Sequence, residues 1–483
     1  MSRVSPFFRF MSAKNKIAVI CLLTGSLCSP LICQTPAPAI RYLSYAEAEP
    51  VIQASGDLTP RELAAANGKN AGEFWDSWVR NADREIRARL EQGDEDSIVN
   101  LLLFGTSFTR QPRMTEGQLN ALARERSQNP DQLYQAVLQN RLDDIALALA
   151  SPQNNERLRF AKSHLIKKLG VRVETDAGKK AVTQYLLQAL RRVLAESAGF
   201  AGLIEQARKN QEDEFVVRSQ LFSRRGLSSD TSLKPNLAIE NALAQLKEKG
   251  YLKKIQRVAI IGPGLDFTDK DEGYDFYPPQ TLQPFAVIES LLKMNLADRT
   301  SLKVDTYDLS PKVNSHIGNF VSMARLKKNY PIQLPLSTER VWTQEFAKYW
   351  GDFGNLIAVP AKPTTSVSQP QNVRLRTINI RSEFLGKIHA FDTNIVLQSP
   401  TLLEKDRYDL IIGTNIFVYY NAFEQGLAMR NLGKMLKDGG ILLSNNALVE
   451  FPFTPVHSVG YSKTIYSDQR NDADAIVWYQ KKE

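Results

Sequence analysis

The chain has almost no cysteine. Its three, Cys21, Cys28 and Cys33, all fall within the first 33 of 483 residues. A chain processed past that point would hold none, which excludes disulfides, a cysteine nucleophile and cysteine-based metal sites together. Histidine is nearly as scarce: His164, His316, His389 and His457 are too scattered to suggest a metal motif. Acid is missing from the start, since no Asp or Glu precedes Glu47. The apolar stretch over residues 17–33 is broken by Thr24, Gly25, Ser26, Ser29 and Pro30, so it is a poor membrane span. There is also no basic helix interleaved with aromatics. The net charge of +9, from 61 basic against 52 acidic residues, therefore reads as solvated surface and gives no expectation of nucleic-acid binding.

What the amino terminus does have is base followed by apolar residues. Arg3, Arg9, Lys14 and Lys16 precede the 17–33 stretch, the pattern of a secretory signal peptide over residues 1–33. Cleavage fits near Cys33-Gln34 or after Ala39. The expectation is an exported chain, periplasmic or secreted, with no stable transmembrane span once the leader is removed. A start beyond the leader, or a leader left in place, would give a cytoplasmic or membrane-anchored protein instead. Residues 34–59 lack sustained periodicity and read as a linker.

At this length two domains are expected. From residue 60 to 250 the pattern is helical almost throughout, and an all-helical domain of five to eight helices is the economical interpretation. Val182, Leu186, Leu187, Leu190, Val193 and Leu194 fall on one helical stripe. Phe74, Trp75 and Trp78 also share a helix face and read as core. The polar, turn-rich residues 224–235 suit either a lid over a ligand or a capped connection between domains.

From 251 to 483 strands alternate with helices, the signature of an α/β, doubly wound, Rossmann-like sheet. Strands are expected at 258–261, 302–307, 374–380, 388–391, 408–414 and 441–444, with an antiparallel edge from 458–465 and 475–479. Helices are expected at 285–295 and 421–436. The most informative segment is Val258-Ala-Ile-Ile-Gly-Pro-Gly-Leu-Asp-Phe267. Its apolar run reads as a buried parallel strand, and Gly262 and Gly264 then make a tight turn where a backbone can approach a ligand closely.

An adenosyl group bound at the carboxyl edge of such a sheet needs a glycine turn, an acid for the ribose hydroxyls and an acceptor near the adenine amine. Gly262 with Gly264, Asp308 after the second strand and Asp392 after the third meet those needs in order. Each acid alone also suits a turn or a helix cap. A dinucleotide site is disfavoured, because Phe267 stands where the last glycine of the phosphate fingerprint belongs.

These residues resemble the class I S-adenosylmethionine-dependent methyltransferases over about 255–481, most nearly the chemotaxis-receptor glutamate O-methyltransferase type. The match is strongest at Tyr408-Asp-Leu-Ile-Ile-Gly-Thr-Asn-Ile-Phe-Val-Tyr-Tyr420, with Leu436-Lys-Asp-Gly-Gly-Ile-Leu-Leu443 and Gln283-Pro-Phe-Ala286 similar to two further family segments. The resemblance implies an S-adenosyl-L-methionine cofactor contacted by Gly262, Gly264, Asp266, Asp308, Asp392 and Asn415, with Tyr419 as a positioning residue. Three departures stand out. Gln283 replaces a family carboxylate, and Asp266 occupies a common glycine position. Thr414 replaces the arginine before the family's Asn, so receptor-glutamate methylation does not carry over. An insertion at 268–279 reads equally as a substrate loop or a cover for the sheet. The expected function is methyl transfer to an acceptor, small molecule or protein, that the sequence does not specify. An exported, non-catalytic binding or scaffold protein on the same fold is the alternative.

Overall fold

Successive strand side chains face opposite sides of a sheet, and the apolar runs here exploit both faces. The computed structural model describes residues 38–65, 71–114, 132–210, 222, 225–267, 274–363, 372–445, 447–452, 454–469 and 472–482. Its strands are β1 (Ile40–Tyr42), β2 (Arg257–Ile261), β3 (Lys303–Asp308), β4 (Tyr330–Ser337), β5 (Ala358–Pro360), β6 (Val373–Ile380), β7 (Ile388–Asp392), β8 (Gln398–Pro400), β9 (Tyr408–Gly413), β10 (Leu436–Ser444), β11 (Val456–Ile465) and β12 (Ala473–Lys481). Seven of them form the central sheet in the order β11-β12-β10-β9-β2-β3-β7. All neighbours are parallel except β12, which runs antiparallel to β10 and β11.

In β2, Val258 and Ile260 join one core with the helices Lys234–Glu248 and Gln283–Lys293. Ala259 and Ile261 join another with the helix Ala422–Met435 and with Trp75 and Val79. Leu410 and Ile412 against Ile411, and Ile441 and Leu443 against Leu442, split the same way. A strand buried on both faces needs an unbroken apolar run, which is why these strands stood out from the sequence. Asp438-Gly-Gly440 is a bulge within β10, where the register shifts between Leu436 and Ile441 and Gly439 adopts φ 74°.

Between residues 60 and 250 the described elements are all helices: Arg61–Ala64, Ala71–Phe104, Gln132–Ala150, Glu156–Leu169, Asp176–Asn210 and Lys234–Glu248. They are not set apart from the sheet. Residues 98–186 supply a core of their own, but Trp75, Val79 and Ile86 share the core of Ile261 and Ile411. The helix Lys234–Glu248, on the helical side of the expected boundary at 250, packs on β11 and β12. From Ala39 to Glu483 the chain is one compact unit.

The expected linker also differs from Ile40 onward. There β1 pairs antiparallel with β8, and the helix Tyr45–Ser55, opened by a Ser44–Glu47 capping box, packs on the helix Ala422–Met435. Its partners lie more than 340 residues away, so no local periodicity announces it. A second sheet, ordered β4-β6-β5, was expected only at β6. Pro331 and Pro335 hide β4, since proline cannot donate to a ladder. Trp75 is core as expected, and Phe74 and Trp78 pack partly buried against the same core, the Trp75 and Trp78 rings stacked at 5.2 Å. The leader, residues 1–33, and the Pro/Ser/Thr-rich 364–370 lie outside the described residues. Among the described residues no helix is long and apolar enough to cross a membrane.

Candidate functional site

The order of strands reverses between β2 and β9, and a doubly wound sheet opens a crevice at such a point, beyond the carboxyl ends of its strands. A cleft with about 770 Å³ of open space lies there. Its floor is the turn after β2. Gly262 and Gly264 adopt φ 63° and 69°, a region costly for residues with a Cβ. A Cβ on Gly262 would sit 2.1 Å from Ile416 Cδ1, and one on Gly264 would sit 2.9 Å from the Ser229 carbonyl oxygen. The Gly262 amide donates to the Tyr307 carbonyl at 2.8 Å, which ties the turn to β3.

Asp308 ends β3 and lines the cleft, only 8% exposed. Its Oδ1 accepts the Ser310 amide at 2.7 Å, and the Gly264 amide also donates to the carboxylate. Burial outweighs these donors and pushes its pKa up to about 6. Asp392 pairs with Asp308 in register at the end of β7 but does not line the cleft. Because β7 is the edge strand, the Asp392 carboxylate is 56% exposed, and Arg87 Nη1 holds it at 2.8 Å. Its neighbour Thr393 lines the cleft instead. The expectation for Asp392 is thus corrected by one residue. Asp266 is corrected further. The chain at Asp266 bridges to Gln280, and its carboxylate accepts from Tyr277 and Gln280, facing a different cavity.

The loop after β9 supplies the opposite wall. Asn415, at φ 59°, lines the cleft and is held by Asn445, which accepts its amide at 2.7 Å and donates to its side-chain oxygen. Tyr419 lines it too, its ring edge-on to Phe222 at 5.7 Å and its carbonyl accepting from Arg89 at 2.8 Å. Gln283 donates to Thr414 Oγ1 at 2.9 Å, but its Oε1 has no partner among the described residues, nor has Thr393 Oγ1. Both residues are at most 3% exposed and line the cleft. Buried polar atoms left this way are what a site keeps for a ligand.

The roof comes from residues 228–231, within the stretch read as a lid or, by preference, as a capped connection between domains. Main chains touch where it meets the long helix: Leu227 donates to the Arg89 carbonyl at 3.0 Å, and a Cβ on Gly93 would lie 1.9 Å from the Leu227 carbonyl oxygen. Gly93→Ala, which in an open helix stabilises by about 0.5–1 kcal/mol, should here destabilise by roughly 1–3 kcal/mol through overpacking. Urea unfolding reads the sign. A stabilised variant would show that the roof is not clamped. Among the described residues the charged side chains lining the cleft are Asp230 and Asp308, with no Lys or Arg.

No family model matches the chain. No curated protein matches it either. Among solved structures it is similar to the N-methyltransferase NodS from Bradyrhizobium japonicum, at 11% identity over 50% of this chain and 94% of that one, with a TM-score of 0.25. The glycopeptide N-methyltransferase MtfA, complexed with S-adenosyl-L-methionine, gives 7% identity over 51% and 94%, TM-score 0.26. The CurJ carbon methyltransferase gives 12% over 90% and 99%, TM-score 0.26. Superposition this loose lends no weight to any assignment. The site rests on its own geometry.

Five of the seven expected residues converge on this cleft: Gly262, Gly264, Asp308, Asn415 and Tyr419. Sequence reasoning missed Thr393, Gln283 as a wall residue, and Asp230. Only the polar turn before the helix Lys234–Glu248 offered a signal for the last. Among the described residues no group of three or more His, Cys, Asp or Glu could hold a metal ion.

Proposed function

We propose that the chain is a class I S-adenosylmethionine-dependent methyltransferase, moving a methyl group to an acceptor that reaches the same cleft. One observation carries this: the Gly262–Gly264 turn and the buried carboxylate of Asp308 meet at the switch point of this particular sheet. Numbered along the chain, the sheet runs 3-2-1-4-5-7-6 with only the seventh strand reversed. That is a doubly wound sheet with an antiparallel edge, as the sequence resemblance led us to expect.

The residues present fit the cofactor. Asp308 would accept from the ribose hydroxyls, and the glycine turn would let the backbone lie against the ribose and amino-acid portion. Thr393 and Ile395, which line the cleft, would take the adenine, and Gln283 Oε1 and Asp230 the ammonium. A lining whose described residues include acids and no bases suits a ligand bearing a sulfonium and an ammonium against one carboxylate. It suits a dinucleotide pyrophosphate poorly, and Phe267 is packed away in the core.

When bound, the cofactor supplies a methyl group already activated by its sulfonium. The chain's own work is alignment and exclusion of water. The 228–231 roof covers part of the cleft, and Arg89 fixes Tyr419, a positioning residue, through its carbonyl. No obligatory base is assigned.

Calorimetry with S-adenosylhomocysteine tests the proposal. One site with a dissociation constant in the micromolar range is expected. A folded protein that neither takes up heat nor gains melting temperature with this ligand would end it. We also propose, from the leader's composition alone, that the chain is exported; amino-terminal sequencing of the mature protein reads this directly.

A further inference from the structure

A second cavity, with about 510 Å³ of empty space that includes open solvent at its mouth, is built from the same two stretches of chain as the cleft. Thr231, Pro235 and Gly264 face the cleft, whereas Ser232, Leu233, Lys234 and Asp266 face this cavity. Its walls are aromatic: Tyr274, Tyr277, Trp342 and Phe346, the last two with ring centroids 4.8 Å apart. Among the described lining residues Asp266 is the acid, and it is 3% exposed.

The hydrogen bonding of that carboxylate is half complete. Oδ2 accepts from Tyr277 Oη at 2.8 Å and from Gln280 Nε2 at 3.0 Å, both neutral donors. Oδ1 meets no partner among the described residues. Three arginines already lie over rings of this wall, Arg113 5.0 Å from the Tyr274 centroid, Arg157 5.3 Å from that of Tyr277 and Arg340 5.0 Å from that of Trp342, but none hydrogen-bonds Oδ1. Arg157 spends its guanidinium on main-chain carbonyls, that of Asp266 included at 3.3 Å, and Lys234 Nζ is 2.7 Å from Asp472 Oδ1. Burial pushes the Asp266 pKa up to about 6, so the group is charged at neutral pH yet poorly stabilised. A buried, half-satisfied charge is costly unless a ligand completes it.

We propose that this cavity binds a small organic ammonium ion, its positive head against Asp266 Oδ1 and its alkyl groups against Tyr274, Tyr277, Trp342 and Phe346. The face of an aromatic ring attracts a cation, more strongly when water is excluded, and a carboxylate supplies the opposite charge. A free anion would meet Asp266 repulsively, and a neutral apolar ligand would leave Oδ1 unpaired. The proposal does not depend on what occupies the cleft.

Calorimetry of the full chain with choline, against its uncharged isostere 3,3-dimethylbutan-1-ol, tests it. Choline should saturate one site at least about tenfold more tightly than the alcohol, as a desolvated cation–aromatic contact requires. Asp266→Asn retains a side-chain oxygen for Tyr277 and Gln280, and should lower choline affinity by about tenfold or more. Saturating S-adenosylhomocysteine should not displace choline. Equal affinity for choline and the alcohol, no binding of choline, or full choline affinity in Asp266→Asn would each overturn the proposal. The comparison of the two probes needs no variant, so it stands even if Asp266→Asn fails to fold.

Discussion

Asp308→Asn is expected to stabilise the free protein at neutral pH while weakening its affinity for an adenosyl ligand by about tenfold or more. Both effects come from one buried carboxylate. Its pKa is pushed up to about 6 in the folded chain, against an ordinary value near 3.9 in the unfolded one. For an acid shifted upward, the folded state holds more protons between those values, so stability falls as pH rises through about 4 to 6 and stays low above. Two units correspond to roughly 3 kcal/mol. The amides of Ser310 and Gly264, which favour the charged form, bring the expected gain for Asn to about 1–3 kcal/mol. Losing charged hydrogen bonds to the ribose should cost roughly 1.5–3 kcal/mol, a fall in affinity of about 10- to 150-fold. Urea unfolding at pH 7.5 and pH 4 measures the first effect, and the advantage of the variant should shrink at the lower pH. A variant destabilised equally at both would show that the carboxylate is not desolvated. An unchanged dissociation constant for S-adenosylhomocysteine would show that the ribose lies elsewhere.

Arg157→Met should cost the most stability of any single change considered, about 3–5 kcal/mol. The guanidinium rises from the helix Glu156–Leu169, is 1% exposed, and donates to the carbonyls of Phe267 and Tyr277, with Asp275 at 3.2 Å and Asp266 at 3.3 Å. It also lies 5.3 Å from the Tyr277 ring centroid. Methionine fills part of the volume but donates nothing, leaving four buried carbonyls to lose their partner at once. These bonds join the helical region to the described end of the 268–279 insertion, residues 274–279, so the second cavity should loosen as well. A urea midpoint lowered without a change in slope is the expected reading. A loss below about 1 kcal/mol would mean that other donors or water replace the arginine.

Legibility differed by residue, and for physical reasons. Gly262 and Gly264 were legible because a strand–turn–helix junction is local, and the positive φ values are a property of the turn itself. Asp308 was legible because it follows the second strand directly. Asp392 passed the same sequence criterion, but its strand is an edge and Arg87, 305 residues away, draws the carboxylate outward. Asp266, two residues from Gly264, turns to Tyr277 and Gln280 because the chain there bridges to Gln280. The roof over the cleft depended on Gly93 and Leu227 meeting main chain to main chain, a contact across 134 residues that no spacing rule encodes.

The sequence by itself determined the seven strands of the central sheet, that the sheet is buried on both faces, and where its first turn is glycine. Those follow from periodicity and backbone freedom over a few residues. Only the tertiary structure decided which acids face the cleft, what covers it, and that residues from Ile40 onward belong to the same body as the sheet. Side-chain direction at a strand end and the partner of a buried charge are set by groups far off in the chain, so they exist only once it has folded.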